Sequence, residues 1–374
     1  MSSNGKRLLI SGASFAGLST ALWMTRLGYE VTIVEVARGL RRGGTAVDIR
    51  GDTVAIAQRM GILEKIRANR LSLRRWDMKN EHDVTERSLV LRNEGDPPSD
   101  DEFEIERNIL LDLLFDAVRG DAQFVFDDSI TALHQGRDDV DVEFARGAPR
   151  SFDLVFGCDG VHSAVRRLWF GGEAEYVHFL GQYFSITIVD KLLIEPGTAQ
   201  MFNVPGKAAM LNAYKNKTDI ILAFAVDEEI SYAYRDQEQQ RRIIEQQFTG
   251  QGWRTAELLA EVRGAPSFYF DKLCQVRMPS WTKGRVALVG DAAYCASPAA
   301  GMGGSLALHG AAALADAMGE HSGDYELAFR SYGQRFRPFI EQVQAEAVRT
   351  GLETLVPRTE EAIRARNART DAAF

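Results

Sequence analysis

A glycine-containing turn near the N-terminus has the residue types of a phosphate-binding loop. It reads Gly12-Ala13-Ser14-Phe15-Ala16-Gly17, close to the G-x-G-x-x-G pattern that holds a dinucleotide pyrophosphate. In that pattern the first glycine permits a tight turn, the third permits close helix–strand packing, and helix N-terminal amides hold the phosphates. Ser14 stands at the second glycine position, where the backbone approaches the pyrophosphate, and serine is small enough to be tolerated. Glu35 lies 18 residues after Gly17, where an acid accepts hydrogen bonds from a ribose.

The segments around this turn predict the elements that position it. Residues 7–11 form an apolar run typical of a buried strand, 18–27 predict a helix, and 30–34 predict a β-branched second strand. This order is a βαβ unit, which indicates a parallel sheet. The same turn also resembles the G-x-S-x-G elbow of hydrolases. However, Ala16 replaces the last glycine, and an elbow normally follows several strands that supply the oxyanion hole. We therefore favour a dinucleotide site.

Two later loops resemble the other motifs of a known family. Residues 153–167 contain Asp159-Gly160, and residues 284–304 contain Gly290-Asp291, Pro298 and Gly301-Met302-Gly303-Gly304. With the turn at 12–17, they resemble the three motifs of the single-component FAD-dependent aromatic hydroxylases, the class A flavoprotein monooxygenases. The segments 43–48 (Gly-Gly-Thr-Ala-Val-Asp) and 106–108 (Glu-Arg-Asn) are similar to those of the tetracycline-inactivating members in particular.

The resemblance implies an α/β fold with a Rossmann-like FAD-binding domain, an inserted substrate domain and a C-terminal helical segment. Alternating apolar stretches at 184–189 and 220–226 indicate that the inserted domain is a mainly antiparallel β-sheet. The expected boundaries are 1–75, 103–175 and 279–323 for the FAD-binding domain, 76–102 and 176–278 for the substrate domain, and 324–374 for the C-terminal helices.

The resemblance also implies which residues contact FAD. Asp291 follows a buried strand, where its carboxylate can accept hydrogen bonds from the ribityl chain. The helix predicted after Gly304 points its positive end at the flavin N1–C2=O edge, which stabilises the reduced ring by about 1 kcal/mol. Ordinary structural roles remain open: helix caps for Asp291 and Asp159, and surface cations for Arg42 and Arg107. The expected cofactor-binding residues are Gly12, Ser14, Phe15, Ala16, Gly17, Glu35, Arg42, Gly44, Asp48, Arg107, Asp159, Gly160, Asp291, Pro298, Gly301, Met302, Gly303 and Gly304.

The function implied by the resemblance is an NAD(P)H-consuming monooxygenase. NADH or NADPH reduces FAD, oxygen adds to the reduced flavin, and a flavin C4a-hydroperoxide hydroxylates an aromatic or polyketide-like small molecule, with tetracycline-type compounds among the candidates. The flavin carries this chemistry, so no catalytic side chain is expected. The single dinucleotide fingerprint suits transient NAD(P)H binding in a cleft. The candidate substrate-binding residues are Gln200, Asn212, Tyr214 and Phe224, although a one-residue shift in strand register would turn each side chain away.

Two other functions remain open. A flavin-dependent halogenase is expected to carry Trp-x-Trp-x-Ile-Pro, and none of the five tryptophans has that spacing. A non-catalytic FAD-binding or sensing protein would share all of the FAD motifs. Four positions also depart from the family pattern near the flavin: Tyr294, Ser305, His309 and Gly310. The substrate, the position hydroxylated, the choice of NADH or NADPH and the oligomeric state stay undetermined at this point.

Composition argues against several kinds of binding partner, membrane segment and metal site. With 44 Lys+Arg against 52 Asp+Glu, the net charge of −8 argues against binding to nucleic acid or to an anionic membrane. No run of about 18 apolar residues predicts a membrane span, and the start leads directly into a strand without a secretory signal pattern. The three widely spaced cysteines suit a reducing cytoplasm, and the six scattered histidines predict no metal site.

Overall fold

A six-stranded sheet carries the N-terminal turn at the carboxyl end of one of its central strands. The structure, a computed structural model, describes residues 5–93, 95–96, 99 and 101–368. In spatial order the strands are Thr282–Lys283, Val286–Leu288, Leu154–Gly157, Arg7–Ser11, Glu30–Glu35 and Ala122–Phe126. All neighbours are parallel except the first pair. The predicted βαβ unit and parallel sheet are therefore confirmed.

The core around this sheet is built from the long helices and from the three-stranded sheet at 130–152, which explains why its central strands are apolar throughout. Leu8, Leu9 and Ile10 are all fully buried, as expected for a parallel strand that is covered on both faces. The first helix begins at Phe15, three residues earlier than predicted, so half of the glycine turn forms the first helical turn. The long helices around this core are Phe15–Arg26, Arg107–Val118, Gly303–Glu320 and Tyr325–Glu346.

Shorter elements complete the half of the molecule that contains this six-stranded sheet. Three-stranded antiparallel sheets lie beside the main sheet, in the orders Val47–Arg50, Glu102–Ile105, Arg70–Leu71 and Arg150–Phe152, Val140–Phe144, Ile130–Gln135. The short helices are Asp52–Met60, Leu63–Ala68, Ala164–Trp169, Glu173–Tyr176, Asp291–Tyr294 and the tight turn Pro298–Ala300. The consecutive strands Arg150–Phe152 and Leu154–Gly157 belong to different sheets. They separate at Asp153, whose carboxylate accepts a hydrogen bond of 2.7 Å from the amide of Arg7.

A seven-stranded, mostly antiparallel sheet forms the second half. Its strands, in spatial order, are Ser267–Val276, Val177–Val189, Lys217–Ala225, Lys207–Tyr214, Thr198–Val204, Arg75–Lys79 and Thr85–Val90. The antiparallel sheet predicted for 176–278 is thus confirmed, and two strands from 75–90 extend it. We refer below to its two faces as the helix face and the loop face.

The helix face packs on Gln237–Phe248 and on a second helix, Thr255–Gly264, which the sequence pattern did not indicate. The loop face turns toward the half that contains the six-stranded sheet and contacts the C-terminal segment through Leu352, Leu355 and Val356. That segment continues from the helix Tyr325–Glu346 through a wide helical turn, Ala347–Gly351, to the helices Leu352–Leu355 and Glu360–Ala368. The last part of the predicted C-terminal helices, 369–374, lies outside the described residues.

Candidate functional site

Two glycines of the N-terminal turn are required by contact with neighbouring backbone. A Cβ atom on Gly12 would lie 2.5 Å from the carbonyl oxygen of Cys158, and φ at Gly12 is +102°. A Cβ atom on Gly17 would lie 1.8 Å from the carbonyl oxygen of Gly12. Real Cβ atoms do not approach backbone so closely. The turn therefore has the tight helix–strand packing that the fingerprint requires of its first and third glycines.

Glu35 holds this turn from the neighbouring strand. Its side chain is only 4% exposed, and its carboxylate accepts hydrogen bonds from the amides of Ala13 at 2.9 Å and Ala37 at 3.0 Å. Each carboxylate oxygen retains a further lone pair, which suits a ribose hydroxyl. Among the described residues no side chain caps the helix that starts at Phe15. Its first amides are thus available to an anion, as phosphate binding needs.

Arg107 connects the turn to the loop at 41–44. Its guanidinium donates to the carbonyl of Gly43 at 2.9 Å and to the hydroxyl of Ser14 at 3.2 Å, and it lies 5.1 Å from the ring centre of Phe15. Burial, and secondarily the charge of Arg41, lower the pKa of Arg107. Gly44 leaves room for this side chain, because a Cβ atom there would lie 2.7 Å from Arg107 Cδ. Arg107 is therefore a structural cation of the site and not a free surface charge.

Contacts within the protein explain the positions of Arg42 and Asp159 without a ligand. Arg42 forms a two-point ion pair with Asp112, at 2.7 and 3.0 Å, and both side chains are about half exposed. Asp159 caps the helix Ala164–Trp169, because its carboxylate accepts from the amides of Ala164 at 2.8 Å and Val165 at 3.1 Å. Burial raises the pKa of Asp159, and these hydrogen bonds oppose the rise. Gly160 follows with φ of +81° and space around its Cα.

The segment 290–304 presents exposed backbone beside the N-terminal turn. Asp291, Pro298, Gly301 and Gly303 are all exposed. Apart from chain neighbours, no described atom lies within 4 Å of a Cβ position on Gly301 or Gly303. A Cβ on Gly304 would lie 3.5 Å from the Phe15 ring, so the helices Phe15–Arg26 and Gly303–Glu320 begin side by side. Met302, half-buried, precedes the second of these helices.

Tyr294 and Gly310, two of the departures from the family pattern, are explained by their contact with each other. A Cβ atom on Gly310 would lie 1.6 Å from the phenol oxygen of Tyr294. That phenol is 3.1 Å from the hydroxyl of Tyr332, which donates to the carbonyl of Leu288 at 3.2 Å. Tyr294 thus occupies the space that the missing side chain at position 310 leaves. Burial raises the pKa of Tyr294 above that of a free phenol, so the hydroxyl stays protonated and uncharged in this space.

The other departures are also structural contacts. Ser305 donates to the carbonyl of Asp48 at 3.1 Å, which fixes the start of the helix Gly303–Glu320 against the strand Val47–Arg50. His309 Nε2 lies 3.0 Å from the hydroxyl of Thr53, and its ring stacks on Phe339. Burial lowers the pKa of His309 and raises that of the Asp48 carboxyl. None of these contacts removes the exposed backbone at 301–303.

The seven-stranded sheet separates the four candidate substrate residues into two pairs. Asn212 and Tyr214 lie on the loop face, opposite Asp219 and Lys217 in register. Tyr214 donates to the Asp219 carboxylate at 2.8 Å, and Thr45 donates to the other oxygen at 2.7 Å. Burial raises the pKa of Asp219 to about 6. This carboxylate therefore ties the sheet to the loop that contains Gly43 and Gly44.

Gln200 and Phe224 lie on the helix face, so the expectation that they line a substrate pocket requires correction. Phe224 is fully buried, and its ring stacks on Tyr183 at 5.6 Å inside the apolar cluster covered by the two helices. Gln200 pairs in register with Leu211, another member of that cluster. Alternation along each strand places the residues that sequence reasoning missed on the loop face instead: Trp76, Ile186, Met210, Ile221 and Tyr269. Tyr269 is 43% exposed.

Replacing Phe224 with alanine is expected to lower the free energy of unfolding by about 3–5 kcal/mol, because it leaves a cavity in a packed core. Denaturant unfolding of the variant and the parent protein measures this loss. FAD content and any substrate response per folded molecule should stay unchanged. Full stability together with a changed substrate response would place Phe224 in the substrate pocket after all.

A cleft of about 690 Å³ lies between the two halves of the molecule. Its walls include Gly43, Gly44, Arg107, Tyr214, Lys217 and Ser267. Within the described part of the chain, no cluster of His, Cys, Asp and Glu could hold a metal ion. In that same part, no helix has the length and apolar character needed to cross a membrane. The site geometry thus consists of two helix starts, bare glycine backbone and a cleft between the two halves of the molecule.

Comparison with known proteins decides the family. A model described as an FAD binding domain matches residues 7–347. The chain belongs to this FAD-binding family. It is 40% identical over 344 residues to an uncharacterised protein of Mycobacterium tuberculosis, covering 91% of this chain and 92% of that protein. It is 34% identical over 350 residues to a flavin-dependent monooxygenase of Legionella longbeachae, covering 92% and 88%.

Solved structures agree with this assignment. The fold matches that of the tetracycline destructase Tet(51) with a TM-score of 0.86 and 34% identity, over 97% of this chain and 94% of that one. The resemblance to class A flavoprotein monooxygenases is therefore confirmed. The protein is an FAD-dependent monooxygenase, and FAD is its cofactor.

Proposed function

We propose that this monooxygenase uses NADH or NADPH to hydroxylate a planar aromatic or polyketide-like molecule, and that FAD is held by the residues described above. The observation that carries the proposal is the pair of adjacent helix starts, at Phe15 and Gly303, with exposed glycine backbone at Gly301 and Gly303. When bound, FAD accepts a hydride and supplies the oxygen chemistry. The chain's own residues bind, orient and shield it.

Each part of the site is suited to one part of FAD. The amides at 15–17 would hold the pyrophosphate and Glu35 the adenosine ribose. Asp291 and Arg107 would hold the ribityl chain and the phosphates, because both flank the N-terminal turn. The bare backbone at 301–304 would face the flavin ring, with the positive end of the helix Gly303–Glu320 stabilising negative charge on the reduced ring.

The loop face supports the proposed substrate class. Side chains of Trp76, Ile186 and Met210, which are half-buried on this face, offer an apolar surface, and the exposed Tyr269 adds a hydroxyl group. Such a mixture binds planar ligands that carry a few polar groups. Tetracyclines are the first compounds to try, since a structure 34% identical to this chain is a tetracycline destructase. Buried free thiols at Cys158, Cys274 and Cys295 agree with work in a reducing cytoplasm.

The proposal is tested on the purified protein. We expect a yellow protein with one FAD per chain, released on acid denaturation, and NAD(P)H oxidation that increases when a substrate is added. A panel of phenols and tetracyclines, each assayed with NADH and with NADPH, identifies the substrate and the nicotinamide cofactor that the protein uses. Bound FAD with no NAD(P)H oxidation under any of these conditions would support the alternative, a non-catalytic FAD-binding protein.

A further inference from the structure

The turn that precedes the exposed glycines contains a strained residue. Ser297 has φ of +83° and ψ of +147°, a region of backbone conformation that residues with side chains rarely adopt. Its hydroxyl accepts a hydrogen bond from the Ala299 amide at 3.3 Å, and Gly301 closes the turn with φ of +64°. Such a conformation persists only where the surrounding structure determines it. The contacts around Ser297–Gly301 are therefore informative.

Two buried glutamines hold the chain that leads into this turn. The side-chain amide of Gln275 donates to the carbonyls of Ala296 at 3.2 Å and Gln344 at 2.7 Å. The side-chain amide of Gln344 donates to the carbonyls of Cys295 at 3.1 Å and Val276 at 2.9 Å. Gln275 is fully buried and Gln344 nearly so. A buried amide is costly to leave unpaired, so these bonds fix the segment 295–296 against the C-terminal helix.

The wide helical turn Ala347–Gly351, which follows the helix Tyr325–Glu346, packs directly against the strained turn Ser297–Gly301. A Cβ atom on Gly351 would lie 2.1 Å from the carbonyl oxygen of Ala299. Gly351 has an ordinary helical backbone, with φ of −61° and ψ of −42°. Backbone conformation therefore does not require glycine there, and contact with Ala299 does. Widened helical turns of this kind occur frequently at functional sites.

We propose that Gly351 is a positioning residue that, together with Gln275 and Gln344, sets the location of the turn Ser297–Gly301 in the FAD site. The inference rests on the proposed placement of the flavin ring beside residues 301–304. It assigns the C-terminal segment a part in the chemistry of the flavin, because the turn's position decides how the backbone at 301–303 meets the ring. A side chain at position 351 would move the Ala299 carbonyl by about an ångström, enough to change reaction geometry.

The test compares Gly351→Ala with Gly333→Ala. Gly333 lies on the helix Tyr325–Glu346, and a Cβ there meets no described atom within 4 Å. Both variants gain one methyl group in a helical backbone. We expect Gly351→Ala to weaken FAD binding by roughly tenfold and to shift the visible absorbance and circular dichroism of the bound flavin. Gly333→Ala should leave the affinity and both spectra unchanged.

A second variant separates positioning from folding. Gln344→Met removes the hydrogen bonds to residues 276 and 295 at similar side-chain volume, so it should shift the flavin spectra in the same sense without adding bulk. Thermal unfolding of each apoprotein reports stability independently. Parent-like flavin spectra and affinity in Gly351→Ala would overturn the proposal. Failure of both Gly351→Ala and Gln344→Met to fold would also overturn it, because the segment would then have a purely structural role. Absence of FAD from the parent protein would instead overturn the proposed function.

Discussion

Gly17→Ala is expected to weaken FAD binding by the folded protein severely. The added methyl group would lie 1.8 Å from the carbonyl oxygen of Gly12, and backbone cannot move aside as a flexible side chain can. Separating the helix Phe15–Arg26 from the strand Arg7–Ser11 would move the amides proposed to hold the pyrophosphate. We expect affinity for FAD to fall by more than about 100-fold, equivalent to about 2.8 kcal/mol. Titration of apoprotein with FAD, followed by flavin fluorescence, measures the change.

Gly319→Ala provides the matched control, since Gly319 lies on the helix Gly303–Glu320 and a Cβ there would make ordinary contact, at 3.6 Å, with Leu27. Its FAD affinity should equal that of the parent protein. Far-ultraviolet circular dichroism shows whether the Gly17 variant remains folded. A folded Gly17→Ala protein that binds FAD with unchanged affinity would remove the N-terminal turn from the proposed FAD site.

Asp291→Ala is expected to weaken FAD binding by about 10–150-fold, because a hydrogen bond to a charged carboxylate contributes roughly 1.5–3 kcal/mol. Asp291 begins the short helix Asp291–Tyr294 and is exposed beside the turn, where a ribityl hydroxyl could reach it. Isothermal calorimetry of the apoprotein with FAD gives the loss directly. Asp291→Asn, which keeps one acceptor oxygen, should show a smaller loss.

Asp316→Ala is the control for general effects of removing an acid. Asp316 pairs with Arg59 on the surface, and both side chains are about half exposed. Exposed ion pairs contribute little to stability, so neither FAD affinity nor folding should change. If Asp291→Ala bound FAD as the parent protein does, the carboxylate would be a helix-terminal residue without a part in cofactor binding.

The N-terminal half of the fold could be predicted because its signals are local. Glycines at 12 and 17, an apolar strand before them and β-branched residues after the helix define the βαβ unit within about thirty residues. The helix predicted at 18–27 is likewise present, as Phe15–Arg26. The contacts of this turn explain why glycine is needed at both positions. A Cβ atom on Gly12 would meet the backbone of Cys158, far along the chain, and a Cβ atom on Gly17 would meet the backbone of Gly12.

Strand register could not be predicted, and the substrate side of the site depended on it. Asn212 and Phe224 both lie on strands of the seven-stranded sheet, yet they point to opposite faces. Apolar residues occur on both faces here, because helices cover one and the nucleotide-binding half covers part of the other. Alternation in sequence was therefore too weak to distinguish the faces.

Long-range contacts set the remaining details. Gly310 is explained only when Tyr294 is seen to fill the space above it, and the two residues lie on different helices. Likewise, Asp159 follows a buried strand as the motif expects, but its carboxylate caps the next helix. A motif fixes where a carboxylate lies along the chain. The surrounding donors decide what that carboxylate binds.

Oxygen-isotope incorporation tests the central claim most directly. The holoenzyme is incubated with NAD(P)H and a compound that stimulates its oxidation, under ¹⁸O₂ in ordinary water, and the product is analysed by mass spectrometry. A monooxygenase inserts one atom of molecular oxygen, so we predict a product that carries a single ¹⁸O atom. Oxidation of NAD(P)H that yields only hydrogen peroxide, or a product whose new oxygen comes from water, would contradict the account.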